Sequence, residues 1–349
     1  MPVVVGITNS PPEMSTRGAH NVKVWSGQIA QDTENRSEGR GVPRSGPLSI
    51  MNAFPVDRQL TMPQSRCERD ANVIRVRSVT PPADIGIIGG SGFYSLLDDA
   101  SPLGLDTPFG PPSGDITVGL LGGRRVAFVP RHGVGHRFAP HRVPYRANLW
   151  ALRSAGVRQV LALSAVGSLR TDLPPGSLVI PDQILDRTSG RAHTYMDADN
   201  GVFHVAYADP YCPVGRACAL AAGGVTGLPV QPAATMVVVN GPRFSTRAES
   251  QEFQRAGAAI IGMTGMPEAG LARELALCYT TLTLVTDLDA GIEIGSGVTQ
   301  TEVFEQFAAN VPRLRTLLVA TIEQLPPGQT ELCECGRVYD EVPPPFQLP

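Results

Sequence analysis

At 349 residues the chain has room for one large domain or two modest ones, and its 42% hydrophobic content is enough to fill a core. A formal net charge of -3 and a pI near 6.1 leave no basic field for nucleic acid, and no run of about eighteen apolar residues is present to cross a bilayer. Lys23 is the only lysine among 29 Lys and Arg residues and falls in a stretch without folding signals, which excludes Schiff-base and Walker-A chemistry. A bound phosphate must then be held by Arg, His, hydroxyls and backbone N–H groups.

Residues 1–82 mix Ser, Pro, Gly, Arg and Asn without a sustained period, which predicts a disordered N-terminal extension or a translated leader. Order is expected from Asp84, where Ile85-Gly86-Ile87-Ile88 reads as a buried strand. Residues 83–325 form the expected catalytic domain. Short apolar strands at Val126–Pro130, Gln159–Ser164, Ser177–Pro181, Ala234–Asn240 and Thr281–Asp287 alternate with helices at Val143–Ala155, Thr246–Ala256, Pro267–Leu277 and Thr299–Leu325. That alternation predicts α/β architecture with a largely parallel or mixed sheet. Pro267 suits the first helical position, Thr299 with Glu302 fits a capping box, and Pro312 is expected to bend or break the last helix. From Pro326 to 349 the composition predicts an extended, loosely held tail.

Six segments could carry chemistry. Gly89-Gly90-Ser91-Gly92 after a strand allows close backbone approach to an anion; a dinucleotide loop or a plain tight turn competes, although no long helix follows. Arg131-His132-Gly133 ends another strand and offers a planar guanidinium fork and an imidazole; His136 and His141 read as solvated loop residues, and the intervening glycines argue against a metal-binding i, i+4 pair. Ser164-Ala165-Val166-Gly167-Ser168 is a small-residue exit from a strand. Phe244, in the loop before Thr246, could stack on a flat ring or simply be buried. Met263 and Thr264 precede a helix whose first amides suit an anion. Asp287 and Asp289 end an apolar strand; two residues apart, they face one side, where one could stay protonated beside its charged neighbour.

Six cysteines are scattered without a secretory start, which predicts reduced thiols and a cytoplasmic location. Cys333 and Cys335 form a C-x-C that could be half of a metal clip, but no second Cys or His pair follows it, so no metal is expected.

Taken in order, Ile87-Ile88-Gly89-Gly90-Ser91-Gly92-Phe93-Tyr94, Pro130-Arg131-His132-Gly133, Val143-Pro144-Tyr145-Arg146-Ala147-Asn148, residues 241–250, Met263-Thr264 and Thr286-Asp287-Leu288-Asp289 resemble the methylthioadenosine phosphorylase branch of the trimeric purine nucleoside phosphorylase family. The resemblance implies a single three-layer α/β/α domain with a central mixed sheet. It implies a homotrimer that cleaves a purine nucleoside with inorganic phosphate as co-substrate and no cofactor. By position, Ser91, Arg131, His132, Ser164 and Thr264 would hold phosphate, with Ala165 beside them. Ala165 and Met263 would line the nucleoside, and Asp287 would meet the base as the catalytic acid. Leu288, Asp289 and Phe244 would lie against the substrate, Ser245 and Gln300 would set specificity, and His204 would reach a neighbouring subunit's site.

The implied reaction converts S-methyl-5′-thioadenosine to adenine and 5-methylthioribose 1-phosphate. Retained carboxylates at Asp287 and Asp289 suit the donor 6-amino group of that purine. Ser164 replaces the family's usual threonine, and Gln300 and Phe304 stand where apolar residues shape the methylthio pocket. A 6-oxopurine nucleoside phosphorylase, acting on inosine, guanosine or methylthioinosine, is therefore the alternative. A non-catalytic nucleoside-binding protein on the same scaffold is the second.

Overall fold

Ile85–Gly89 (β1) is buried along its whole length, and its side chains divide between two cores: Ile85 and Ile87 face one, Ile88 the other. In Arg124–Pro130 (β4), Val126 and Phe128 join the first core while Ala127 and Val129 join the second. In Gln159–Ser168 (β5), Leu161 and Leu163 oppose Val160 and Ala162 in the same way. Strands covered on both faces need apolar residues at every position, which is why they read as continuous apolar runs. The structure, a computed structural model, describes residues 83–349 apart from 91–92, 94–95, 198, 200, 293–296 and 329–332. The expected disordered extension, residues 1–82, lies outside the described residues.

The remaining strands are Asp98–Leu103 (β2), Ile116–Leu121 (β3), Leu178–Val179 (β6), Gln183–Arg187 (β7), Val230–Gln231 (β8), Thr235–Val239 (β9), Ile260–Gly262 (β10) and Cys278–Leu288 (β11). The sheet runs β2-β3-β4-β1-β5-β10-β9-β7, with β11 also on β5, followed by β6 and β8. β1 lies parallel to β4 and β5, and β11 parallel to β5, whereas β2, β3 and β10 enter antiparallel. The mixed sheet expected from the sequence is thus the one observed.

Helices Tyr145–Ser154 (α1) and Gly265–Glu274 (α4) pack on the face of Ile88 and Val129; Pro213–Thr226 (α2) and Gln300–Gln324 (α5) pack on the face of Ile85 and Leu161. Arg247–Arg255 (α3) starts from a capping box of Thr246 and Glu249 and buries Phe253 against Leu169, Val237 and Ile261. α5 begins from the expected Thr299–Glu302 box. It is not broken at Pro312: that residue lies on the exposed side, where the Ala308 carbonyl left without an intrahelical donor can meet solvent. α4 takes up helical geometry only after Met266, so Pro267 does stand at its effective start.

The C-terminal segment departs from the loose tail that its prolines suggest. Cys333 and Cys335 are buried, the Tyr339 hydroxyl donates to the Glu274 carbonyl at 2.8 Å, and the Phe346 ring packs 6.2 Å from Trp150 and 5.8 Å from Tyr195. Apolar contact outweighs the prolines here because those aromatic rings would otherwise face water. No helix among the described residues is long and apolar enough to cross a membrane.

Candidate active site

β5 changes partner midway. On one side it pairs with β1 up to Ala162 and with β10 from Gly167 onward. Between them residues 163–166 have no strand on that side among the described residues, and a cleft of about 510 Å³ opens beside them. Ligands in α/β sheets collect where neighbouring strands diverge, because backbone polar groups there are accessible. Ser164 and Ala165 line this cleft, and the Leu163 carbonyl is taken by the Arg131 Nη1–H at 2.7 Å.

On one wall stand Arg131, His132, His136 and Thr264, with Gly90 nearby. Arg131 is buried and its fork is already committed. Nε donates to Glu268 Oε2 at 2.8 Å and Nη2 to Oε1 at 2.9 Å. Burial alone would depress the guanidinium, but the Glu268 carboxylate outweighs it and holds the pKa above the ordinary value. The bidentate grip expected for an oxyanion is therefore spent on Glu268. One Nη1 N–H remains without a partner among the described residues.

His132 is pushed down to about 4, first by burial and then by the Arg131 charge, while its hydrogen bond to the Phe138 carbonyl opposes the shift. A carbonyl can only accept, so Nδ1 carries the proton in that 2.8 Å contact and Nε2 of the neutral ring is an acceptor. His136 is exposed, as expected of a solvated loop residue, and it also lines the cleft and stacks on His132 with centroids 4.2 Å apart. Thr264 precedes α4 but makes no side-chain cap, so its hydroxyl is not spent on the helix. Ser91 lies outside the described residues.

Across the cleft, Asp287 and Asp289 lie together as their spacing predicts. The register of β11 against β5 shifts between Val285 and Asp287, so Thr286 is an extra residue, and Asp287 pairs with Gly167. The Thr286 hydroxyl donates to Asp287 Oδ2 at 2.8 Å. Desolvation pushes the half-buried Asp287 carboxyl up to about 6, with the Asp289 and Glu302 charges adding to it and the Thr286 bond opposing. Asp289 is buried and also raised by desolvation; Ser250 Oγ donates to its Oδ2 at 2.5 Å, and its backbone N–H is fixed on the Ser168 carbonyl at 2.9 Å. Phe244, Ser245 and Met263 complete this side.

The outer end is formed by α5, which presents Gln300, Val303, Phe304 and Phe307. Phe304 is 46% exposed, so that end is open to solvent in the single chain. Leu288 and His204 are not among the lining residues; Leu288 is half-buried beside Ser168, and His204 is exposed.

Sequence reasoning missed Glu268, Gly167 and His136. Glu268 is separated from Arg131 by 137 residues and gave no local signal; Gly167 was visible only as part of a small-residue turn. The His132 and His136 rings are stacked with their planes 17° apart. The described side chains whose ligand atoms cluster closely enough to hold a metal are Cys212, Cys278, Cys333 and Cys335, outside the cleft.

A profile of the Phosphorylase superfamily matches residues 84–323. A Streptomyces coelicolor protein named purine nucleoside phosphorylase is 56% identical over 275 residues, covering 76% of this chain and 98% of its own. An S-methyl-5′-thioadenosine phosphorylase of Mycolicibacterium smegmatis is 55% identical over 267 residues, covering 76% and 99%. The crystal structure of a methylthioadenosine phosphorylase from an Antarctic soil metagenomic library superposes with a TM-score of 0.70 at 40% identity, covering 75% of this chain and 93% of that one. The chain belongs to the phosphorylase superfamily, among the purine nucleoside and methylthioadenosine phosphorylases.

Proposed function

We propose that the protein cleaves the N-glycosidic bond of S-methyl-5′-thioadenosine with inorganic phosphate, giving adenine and 5-methylthioribose 1-phosphate. The observation that carries this reading is Asp287: a carboxyl raised to about 6, at the end of a buried strand, in the same cleft as Arg131 and His132. The reaction passes through an oxocarbenium-like state, so the site must put an anion beneath the sugar and assist the purine as it leaves.

Phosphate would lie against the backbone of residues 164–165, the Ser164 and Thr264 hydroxyls and the remaining Arg131 N–H. The neutral His132 fits hydrogen phosphate in a specific way: its Nε2 can accept the P–OH, leaving the other oxygens for the donors. A phosphate oxygen then bonds to C1′ as the C1′–N9 bond breaks and its electron pair passes into the purine. Protonated Asp287 can donate to N7, while an ionised carboxylate can accept from the 6-amino group; a pKa near 6 keeps both forms within reach at neutral pH. Asp289, held by Ser250, sustains the raised pKa from behind. The reaction calls for no organic cofactor and no metal at the cleft.

The open end under Gln300 and Phe304 would receive the methylthio group. His204, exposed and outside its own cleft, suits a residue lent to a neighbour's site in a homotrimer. A cytoplasmic site of action accompanies this reading.

A 6-oxopurine nucleoside phosphorylase is the second reading, favoured by the 56% identity to the Streptomyces coelicolor purine nucleoside phosphorylase and by the polar Gln300 at the outer end. Phosphate-dependent base release from methylthioadenosine, adenosine, inosine and methylthioinosine, measured side by side, separates them. A dominant kcat/KM for methylthioadenosine supports the first; a dominant value for inosine overturns it.

A further inference from the structure

Four cysteines from three separate parts of the chain meet in one buried cluster. Cys212 caps the N-terminus of α2, Cys278 opens β11, and Cys333 and Cys335 flank the start of the short turn Glu334–Arg337. Their Sγ atoms all lie within 4.8 Å of one another, and none of the four residues is more than 5% exposed. The fold thus supplies the second pair that a C-x-C alone lacks.

The spacing discriminates between outcomes. Cys278 Sγ and Cys333 Sγ are 3.5 Å apart, whereas a disulfide needs about 2.0 Å. A tetrahedral zinc with bonds of about 2.3 Å sets its sulfurs about 3.8 Å apart, every one near every other. Mutual proximity of four thiols matches that arrangement better than two bonded pairs do. We propose that Cys212, Cys278, Cys333 and Cys335 form a closed structural site for a thiophilic divalent cation, zinc.

The surroundings favour thiolates. Cys212 Sγ accepts the Gly215 N–H at 3.5 Å at a helix N-terminus, where the backbone dipoles favour negative charge. Binding releases four protons to solvent, one from each S–H, and forms four Zn–S bonds, leaving a centre of net charge about -2 with no change of oxidation state. Four protein ligands and full burial leave no open coordination position, so the site is structural rather than hydrolytic.

The cation would tie the C-terminal segment to α2 and β11. From that anchor the segment continues to the Tyr339–Glu274 bond and the Phe346 contacts over Trp150 and Tyr195. None of the four cysteines lines the cleft, so the metal's effect is on stability.

The test uses the full chain, purified under reducing conditions, loaded with zinc and desalted, with metal measured by elemental mass spectrometry. The expected result is about one zinc per chain, and Co(II) exchange giving thiolate charge-transfer and tetrahedral ligand-field bands. Cys333→Ser with Cys335→Ser should lower zinc affinity by at least about tenfold while leaving base release at its wild-type rate. Because the double variant could fail to fold, a strong chelator is also applied to wild type, where removal of zinc should lower the Tm. Zinc-free protein with all four thiols open to alkylation, or with the four paired in disulfides under reducing conditions, would overturn the proposal.

Discussion

Gly167 and Asp287 stand side by side in register across β5 and β11, so close that a Cβ built on Gly167 would lie 2.9 Å from Asp287 Oδ1. That Cβ would also lie 3.0 Å from Ile261 Cγ2, so an added methyl requires these side chains to shift. Glycine here is a condition of where the carboxylate sits. Gly167→Ala should displace Asp287 and lower kcat by on the order of 10–10²-fold, since small misplacements of a reacting group are costly. Steady-state kinetics with a Tm measurement checks this; an unchanged kcat would remove Asp287 from the chemistry or show that β11 yields freely.

Ser250 is the residue that holds Asp289. Ser250→Ala removes a 2.5 Å donor from a buried carboxylate and should cost about 1–3 kcal/mol in urea unfolding at pH 8. The loss should shrink below pH 4, where a protonated Asp289 no longer demands that donor.

The buried Arg131–Glu268 pair carries a larger stake. Glu268 accepts both Arg131 bonds and the Tyr279 hydroxyl at 2.8 Å, so Glu268→Ala strands a buried guanidinium and should destabilise the fold by about 3–5 kcal/mol. Chemical denaturation reads this directly. Arg131 and Glu268 replaced together by apolar residues of similar volume should recover much of that loss while phosphate KM rises.

How much of this was legible depended on whether the signal was local. The doubly covered strands β1, β4, β5 and β11 announced themselves as apolar runs, and the capping box at Thr299 fixed the start of α5. α2 was missed because Gly215, Gly223 and Gly224 disguise its period, although Pro213 at its first turn is a valid start signal. β7, β8 and β10 are short and carry no alternation of their own, so only their neighbours define them. The Asp287–Asp289 pair followed from strand periodicity, but the extra residue at Thr286 did not. Arg131's commitment to Glu268 and the meeting of four cysteines are products of topology, joining positions that share no sequence neighbourhood.

Asp287 should also reveal itself through pH. Its folded pKa of about 6 lies above the unfolded value of about 3.9, so folding favours the protonated form. Its contribution to stability is therefore complete below about pH 4 and is lost as pH rises through 6. Asp287→Asn, free of that loss, should be more stable than wild type by about 1–2 kcal/mol at pH 8 and no more stable at pH 3.5. Urea titrations at both pH values check the sign; greater relative stability of the variant at low pH would contradict the assignment.

The account turns most directly on adenine release from methylthioadenosine, followed with and without phosphate for wild type and Asp287→Ala. The prediction is release only when phosphate is present, one sugar phosphate formed per base, and a turnover about 10²–10⁴-fold lower in the variant. Base release that proceeds equally without phosphate, or an Asp287→Ala protein that retains the full rate, would contradict it.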